Sequence, residues 1–449
     1  MKIQLSDHFT YKKLMRFTLP SIVMMIFTSI YGVVDGLFVS NFAGKTAFAG
    51  INFIYPFIMI LGAFGFMFGA GGSALISKTM GEGNMRKANR LFSMLTCVSL
   101  LTGIVIALLG IIFIYPISVL LGLKGEMLKV CVSYGSILLV AMPAFMLQQE
   151  FQSFFITAEK PQIGLIVTVA AGVTNMVLDA LFIAVFKWGA VGAGVATAIS
   201  QVVGGVLPIL YFFSKKNDSL LHFMKPKFDG KALWRTCTNG SSELMNNVAT
   251  SLVGLLYNLQ LMKYAGEDGV SAYGVMMYVC FVFMSIFFGY SIGTAPIVGY
   301  HYGAKNDAEL KNVFRRGMLL MGLFSVGMLL LGELSAYPLS LIFMGYDETV
   351  MKMTVNGFFI FSFQFLFCGI SIFGSGFFTA LNNGGVSALI SFLRTLVFQV
   401  LAVLLLPLLF EKIGWSPLDG IWVSVVVAEA MSFVITLICF VINRKKYRY

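Results

Sequence analysis

The chain has 449 residues, of which 58% are hydrophobic and 11% are charged, and it carries a formal net charge of +11. So few charges are unlike a soluble protein of this length, and apolar stretches of about 20 residues, enough to cross a bilayer as a helix, recur along it. Runs such as LTGIVIALLGIIFIYP do not alternate between apolar and polar residues, which excludes a β-barrel. We predict an all-α, multi-pass membrane protein with twelve transmembrane helices.

The positive charge is one-sided, which argues against a nucleic-acid partner. With twelve spans, 24 of the 31 lysines and arginines lie on one face, and the other face holds Lys45, Lys124, Lys129, Lys187, Lys263, Lys352 and Lys412. Loops rich in lysine and arginine stay in the cytoplasm. We therefore expect both termini in the cytoplasm and the protein in the plasma (cytoplasmic) membrane.

The first span, FTLPSIVMMIFTSIYGVVDGLFVS, contains Pro20 near its entry and Asp35 about four turns later. A proline inside a helix breaks one backbone hydrogen bond and favours a bend, so Pro20 is a candidate hinge. The alternative is a proline in the first helical turn, which merely starts the helix.

The fifth span contains the stretch GVTNMVLDALFI, with Asn175 and Asp179 four residues apart on one helix face. A carboxylate near the bilayer centre costs about 2.5–3.5 kcal/mol on insertion scales, and such residues usually serve ion movement. Together with Asp35 and Thr197 of the sixth span, these residues could form an oxygen-rich pocket for Na⁺ or shared protons. The alternative is that Asn175 and Thr197 only bond to the backbone.

The chain repeats itself at an offset of about 222 residues. The segment GAGGSALISKTMGEGNMRKANR returns as SIGTAPIVGYHYGAKNDAELKN, which pairs Gly81 with Gly303, and Gln201 pairs with Glu429 near the two ends. Six spans are duplicated, and the interface between the halves is the expected substrate site. We assign an N-terminal six-helix lobe to residues 1–214, a cytoplasmic linker to 215–235, and a C-terminal six-helix lobe to 236–449. The linker could include a short amphipathic surface helix.

Four further acids lie within or near spans. Glu243 and Glu429 lie inside spans of the second half, while Glu150 and Glu333 lie nearer span ends and fit snorkelling or end pairing. Glu243 is a candidate cavity residue or a structural one. The six cysteines have no metal or redox spacing and fit packing roles.

These features together resemble the multidrug and toxic compound extrusion (MATE) family, over nearly the whole chain. The residues that carry the resemblance are Pro20 with Asp35, the NMVLD run from Asn175, the VGAGVATAISQ run from Val191, and the loops GEGNMRKANR and GAKNDAELKN. Similarity is greatest to the bacterial and archaeal branch that includes damage-inducible and staphylococcal exporters.

The resemblance implies two six-helix lobes in a V-shaped, MATE-like fold. It implies export of organic, often cationic, compounds in exchange for Na⁺ or H⁺, with Asp35, Asn175, Asp179 and Thr197 as the cation site and Pro20 as the hinge. In another branch the acids lie in helices seven and ten. Glu243 fits the first position, but helix ten has no acid from residue 353 to 380.

Three alternatives remain beside the antiporter. A flippase for a lipid-linked or amphiphilic substrate would need basic residues in its cavity, and Arg394 is the only basic residue we place within a span. A sensor or channel subunit would lack a transport cycle. An enzyme is not indicated, because no nucleophile and base pair, metal cluster or nucleotide motif is evident. We expect no cofactor beyond the coupling ion, contact with membrane lipid, and a monomer.

Overall fold

The computed structural model describes residues 3–120, 122–214, 217–344 and 347–449. Three members of the basic set, Lys2, Lys215 and Lys216, fall outside these ranges, as does the expected start of the linker at residue 215. Across the described residues the chain is helical throughout its apolar stretches, which confirms the all-α class.

Twelve helices, α1 to α12, run through the described ranges. Their bounds are Tyr11–Ala43, Lys45–Gly81, Met85–Leu120, Gly125–Thr157, Pro161–Val185, Gly189–Phe213, 230–265, 267–303, Asp307–Met344, Glu348–Ala380, Gly384–Lys412 and Pro417–Tyr447. The first six form one lobe and the last six form the second. With an even number of spans, both chain ends lie at the same face of the bundle.

The helices α7 and α8 have no loop between them. The helical run Gly230–Gly303 turns at Gly266, whose φ of 62° and ψ of −153° leave the helical region. A residue with a side chain is strained in this conformation, whereas glycine adopts it freely. One 74-residue helical run therefore supplies two of the twelve spans.

Several helices change their winding within the membrane. Wider π-helical turns occur at Val39–Ala43 of α1, Ala180–Val185 of α5 and Leu393–Val397 of α11, and a tighter 3₁₀ turn occurs at Ser362–Gln364 of α10. Such turns leave backbone groups out of the regular pattern and are frequent at functional sites. Each lobe thus has at least one helix whose geometry changes beside a charged residue.

The two lobes repeat their local geometry as well as their sequence. Gly83 in the loop after α2 has a φ of 80°, and the matching Lys305 after α8 has a φ of 54°. Glu159 after α4 and Asn382 after α10 likewise have φ values of 60° and 57°. These left-handed residues end corresponding helices in the same way, so the predicted duplication is confirmed at the level of the backbone.

The lobes meet through closely packed glycines. A Cβ atom added to Gly71 of α2 would lie 2.0 Å from the carbonyl oxygen of Thr236 in α7, and one added to Gly240 would lie 2.0 Å from that of Met67. Gly81 and Gly303 make the corresponding approach between α2 and α8. Small residues allow membrane helices to approach until their backbones touch, which maximises packing where no hydrophobic effect operates.

Pro20 is part of the interior of α1. The helix begins at Tyr11, and Pro20 is buried in its third turn. The alternative of a first-turn proline is therefore wrong, because the helix starts well before the first strongly apolar residues. The missing N–H of Pro20 leaves the carbonyl of Arg16 without its usual partner, which weakens α1 at this point.

The linker is extended. Residues 217–229 contain no helix, so they do not form the surface helix considered from the sequence. Residues 230–235, which the sequence analysis assigned to the linker, are instead the first turns of α7. Backbone N–H groups of His222 and Met224 donate to the Asn89 and Ser93 side chains of α3, at 2.8 Å each. These hydrogen bonds hold the extended segment against α3 and pair backbone N–H groups that would bond to carbonyls within a helix.

The segment before α1 is bonded to both lobes. The Leu5 N–H donates to the Glu159 carboxylate of the first lobe at 2.6 Å, and the Phe9 N–H donates to the Glu309 carboxylate of the second lobe at 2.8 Å. His8 also contacts Glu309, with Nδ1 and Oε2 2.6 Å apart. Leu5 and Phe9 are fully buried. This segment therefore joins the lobes at the face that holds both chain ends.

Candidate functional site

The candidate site is built on the packing of α1 against α5. A Cβ atom at Gly172 would lie 2.5 Å from the Phe27 ring and 2.9 Å from the Tyr31 ring, so only glycine lets the two helices come this close. Asp35 lies one helical turn beyond Tyr31, and Asp179 lies two turns beyond Gly172. The close approach of the helices brings the two acids together.

The carboxyl groups of Asp35 and Asp179 lie next to each other. Asp179 is 0% exposed, and both of its oxygens and Oδ1 of Asp35 are buried without a hydrogen-bond donor. Two ionised carboxylates offer only acceptor atoms, so the contact becomes a hydrogen bond only if one of them holds a proton. The pair therefore needs either a proton or a bound cation.

Asn175 and Thr197 complete the predicted set. Asn175 lies one turn before Asp179 on α5 and is 2% exposed. Its amide Nδ2 donates to Thr197 Oγ1 of α6 across 3.5 Å, at the upper limit for a hydrogen bond. The partner of Asn175 is thus a side chain of the neighbouring helix, which links α5 to α6 beside the carboxyl pair.

The backbone also changes at Asp179. Regular α-helix ends there, and the π-helical turn of α5 starts with Ala180. The π-helical turn of α1 lies against it, four residues after Asp35. Both carboxyl groups therefore lie where their helices can change winding, a geometry that suits a site whose occupancy is coupled to helix movement.

Sequence reasoning missed four tyrosines around the acids. Tyr31 of α1, Tyr55 of α2, Tyr134 of α4 and Tyr278 of α8 lie within electrostatic range of Asp35, and Tyr134 also of Asp179. The spacing of Tyr31 and Asp35 by four residues is a helix-face signal that could have identified the first. The other three come from different helices, and nothing in their local sequence indicates this position.

The oxygen ligands of this site suit a small hard cation or a proton. Carboxylate, amide and hydroxyl oxygens are ligands that alkali and alkaline-earth cations accept, whereas softer metals prefer nitrogen or sulfur. Within the described ranges no group of three or more His, Cys, Asp or Glu side chains could hold a metal ion. The arrangement can exchange protons or hold one monovalent ion.

In the second lobe, Arg394 and Glu429 form a buried ion pair. Arg394 Nε donates to both carboxylate oxygens of Glu429, at 3.1 and 2.9 Å, and Arg394 lies in the π-helical turn of α11. Arg394 therefore belongs inside the membrane and not to the basic face, to which the charge count had also assigned it. Glu243, on α7, is half-buried.

Glu150 and Glu333 were both expected to snorkel or to pair near span ends, and only Glu333 does so. Glu150 is 0% exposed and lies beside Ser99 of α3, so its assignment as a snorkelling residue is wrong. Close packing of α2 at Gly69 against Glu150 keeps it inside the lobe although it is near the end of α4. Glu333 accepts a hydrogen bond from Ser362 of α10, as expected for an acid that pairs near a span end.

Sequence comparison places the two halves in one family. The MatE family model matches residues 20–181 and again residues 244–404. Multidrug export protein MepA of Staphylococcus saprophyticus is 24% identical over 427 residues, which cover 94% of this chain and 91% of the relative. MepA of Staphylococcus haemolyticus is 28% identical over 306 residues, or 68% and 67% of the two chains.

Solved structures share the fold. An outward-facing multidrug resistance MATE transporter of the MOP superfamily superposes with a TM-score of 0.91 at 19% identity, over 98% of this chain and 97% of the other. A MOP superfamily transporter from Pyrococcus furiosus, described as having a binding pocket of reverse polarity, gives 0.89 at 19% identity over 98% of both chains. At this identity the likeness concerns architecture, which is the duplicated arrangement of two six-helix lobes.

Proposed function

This chain belongs to the MatE family of membrane transporters, and we propose that it is a secondary active antiporter that exports organic cations in exchange for Na⁺ or H⁺. The similar MepA proteins are named as multidrug exporters, which supports this substrate class. The basic face and both chain ends lie in the cytoplasm in this proposal, so export runs away from the face that holds the segment before α1.

The observation that carries the proposal is the pair of acids in the first lobe. Asp35 and Asp179 approach each other where both oxygens of the buried Asp179 and Oδ1 of the half-buried Asp35 lack donors. A buried charge without a partner is costly, so this arrangement is stable only with a proton or cation bound. Loss of the bound proton or cation therefore leaves a costly buried charge, and a change of conformation can remove that cost.

We assign roles within this pair and its neighbours. Asp35 and Asp179 release or ligate the coupling ion, while Asn175 and Thr197 supply neutral oxygen ligands. Ion entry from outside favours one arrangement of the lobes, and substrate from inside favours the other. Coupling follows because the two ligands prefer different states, and no ligand shifts the equilibrium by more than its difference in affinity between them.

The first test is efflux of an ethidium-like cation from proteoliposomes, with Na⁺ and pH gradients imposed separately. We expect one of the two gradients to drive export in the wild type, which names the coupling ion. Asp35→Asn should remove that driven component while the protein still elutes as a folded species. Driven efflux at the wild-type rate in Asp35→Asn would refute the assigned role of the carboxyl pair.

Pro20 is the proposed hinge of α1. Pro20→Ala restores the missing backbone N–H and should strengthen the helix by about 3 kcal/mol or less, the usual cost of an interior proline. We expect higher thermal stability and slower gradient-driven efflux, because the bent arrangement becomes less accessible. Thermal unfolding and the initial rate of dye efflux measure the two effects, and a stabilised variant with an unchanged rate would exclude the hinge.

A flippase for lipid-linked substrates has less support. Such a substrate carries phosphate groups, and a basic side chain would have to meet them inside the cavity. Arg394 already pairs with Glu429 through Nε, so its charge is neutralised. If neither gradient drives dye export from folded protein, flipping of a labelled lipid-linked sugar is the next assay.

A further inference from the structure

Three charged side chains of the second lobe, Arg394, Glu429 and Glu243, have no role in the proposed ion coupling. Arg394 and Glu429 are 6% and 3% exposed, and they pair with each other. Glu243 is half-buried, and its carboxylate makes no hydrogen bond or ion pair with any residue in the described ranges. When all three side chains are ionised, Arg394 and Glu429 cancel each other, and the remaining negative charge is that of Glu243.

Glu243 lies on the side of α7 that meets the first lobe. Gly240, one turn before it, touches the backbone of Met67 in α2, and Leu244 packs against the apolar core of the first lobe. A half-buried acid at this boundary between lobes is placed where a substrate in transit passes. An organic cation meets the charge of Glu243 there.

Arg394 lies close enough to weaken the attraction of Glu243 for a cation. Its π-helical turn packs against the helical run Gly230–Gly303, which contains Glu243, and its guanidinium is within electrostatic range of Glu243. An arginine without a counter-ion at this position would oppose Glu243, because charges interact strongly where water is largely excluded. The contact of Arg394 Nε with both carboxylate oxygens of Glu429 removes this opposition.

No equivalent buried ion pair occurs among the described residues of the first lobe. The repeat places Gln201, a neutral residue, opposite Glu429. The ion pair was therefore not required by the duplicated fold. Moreover, a buried ion pair is often no more stabilising than apolar residues of the same volume, so stability gives little reason to retain it.

We infer that Glu429 sets the charge selectivity of the transporter by neutralising Arg394, so that Glu243 presents an unopposed negative charge to a monovalent organic cation. Glu429 acts through Arg394 and is a positioning residue that does not touch the substrate. This inference rests on the proposed export of cations and adds a determinant of which compounds are accepted.

The test compares wild type, Glu429→Gln and Arg394→Gln/Glu429→Gln in proteoliposomes. The two substrates are an ethidium-like cation and a sulfonated anionic dye of similar size. In Glu429→Gln, cation efflux should fall by about ten-fold relative to the anion, the order of effect expected of one uncompensated charge in a partly solvated site. In the double variant the ratio of cation to anion should return toward wild type, since the opposing arginine is gone.

Glu333→Gln is the matched control, because it removes another acid of the same lobe that bonds only to Ser362. It should leave the cation-to-anion ratio unchanged. If Glu429→Gln does not fold, the neutral double variant is compared with one that also carries Glu243→Gln, which should lose the preference for the cation.

Two results would overturn the inference. One is a double variant that stays as impaired as Glu429→Gln, since the pair would then be structural. The other is an unchanged cation-to-anion ratio in folded Glu429→Gln. Absence of cation flux in the wild type itself under either gradient would instead count against the proposed function.

Discussion

Asp179→Asn should reduce gradient-driven export to the level of liposomes without protein. The side chain of Asp179 is completely buried against Asp35, and its oxygens have no donor. An amide of the same shape cannot release a proton or ligate a cation with full charge, but it can donate to Asp35. The variant should therefore remain in the loaded arrangement whichever ion is used.

The fold should tolerate this substitution. Removing a buried carboxylate that lacks a donor relieves a penalty of roughly 1–3 kcal/mol, so the midpoint of thermal unfolding should stay equal or rise. Dye efflux under each gradient and thermal unfolding of the purified protein give the two readouts. Asp268→Asn is the control, because it makes the same chemical change at an exposed residue beside Gly266.

The outcome separates coupling from folding. Loss of export together with lower stability would assign Asp179 to the structure of the lobe and not to ion coupling. Export at the wild-type rate in stable Asp179→Asn would remove the carboxyl pair from the mechanism, and the acids of the second lobe would then be the remaining candidates.

Gly240→Ala should destabilise the protein by about 1–3 kcal/mol, the usual range for overpacking, and should slow transport. The added methyl would lie 2.0 Å from the carbonyl oxygen of Met67, which is a backbone atom and cannot rotate away. The lobes must move apart at this contact, so every state in which α2 and α7 touch loses stability. Thermal unfolding and dye efflux measure both effects.

The same substitution at Gly254 should change the free energy of unfolding in the opposite direction. Gly254 lies in the same helix, and no atom lies within 4 Å of the Cβ position there. Alanine is a better helix former than glycine by about 0.5–1 kcal/mol, so Gly254→Ala should stabilise the protein slightly. Equal effects at the two positions would show that close backbone contact does not hold the lobes together.

Most of the architecture could be predicted from the sequence, because a bilayer restricts what apolar runs can form. The twelve spans and their duplication follow from run length and from matches such as Gly81 with Gly303. The joint at Gly266 could not be predicted, since nothing in composition shows that two spans can be joined by one residue. The extended linker also differed, because bonds to α3 replace its helical ones.

The candidate site was partly predictable for a similar reason. Four residues between Asn175 and Asp179 place both on one helix face, and an acid in a span is unusual enough to be noticed. Contact between Asp35 and Asp179 depends on how closely α1 and α5 pack. Gly172 permits this close packing, but a glycine in the sequence does not predict it. Glu150 shows the opposite error, since its place near a span end gave no sign that neighbouring helices cover it.

The segment before α1 also has a practical consequence for work on this protein. Leu5 and Phe9 are enclosed, and the Tyr449 ring at the other end packs among Phe314, Phe377 and Phe440. A fusion partner or affinity tag attached directly beside either segment would compete with these contacts. Fluorophores and tags are better carried on a flexible spacer, or in the exposed turn around Gly414, where they leave the join between the lobes intact.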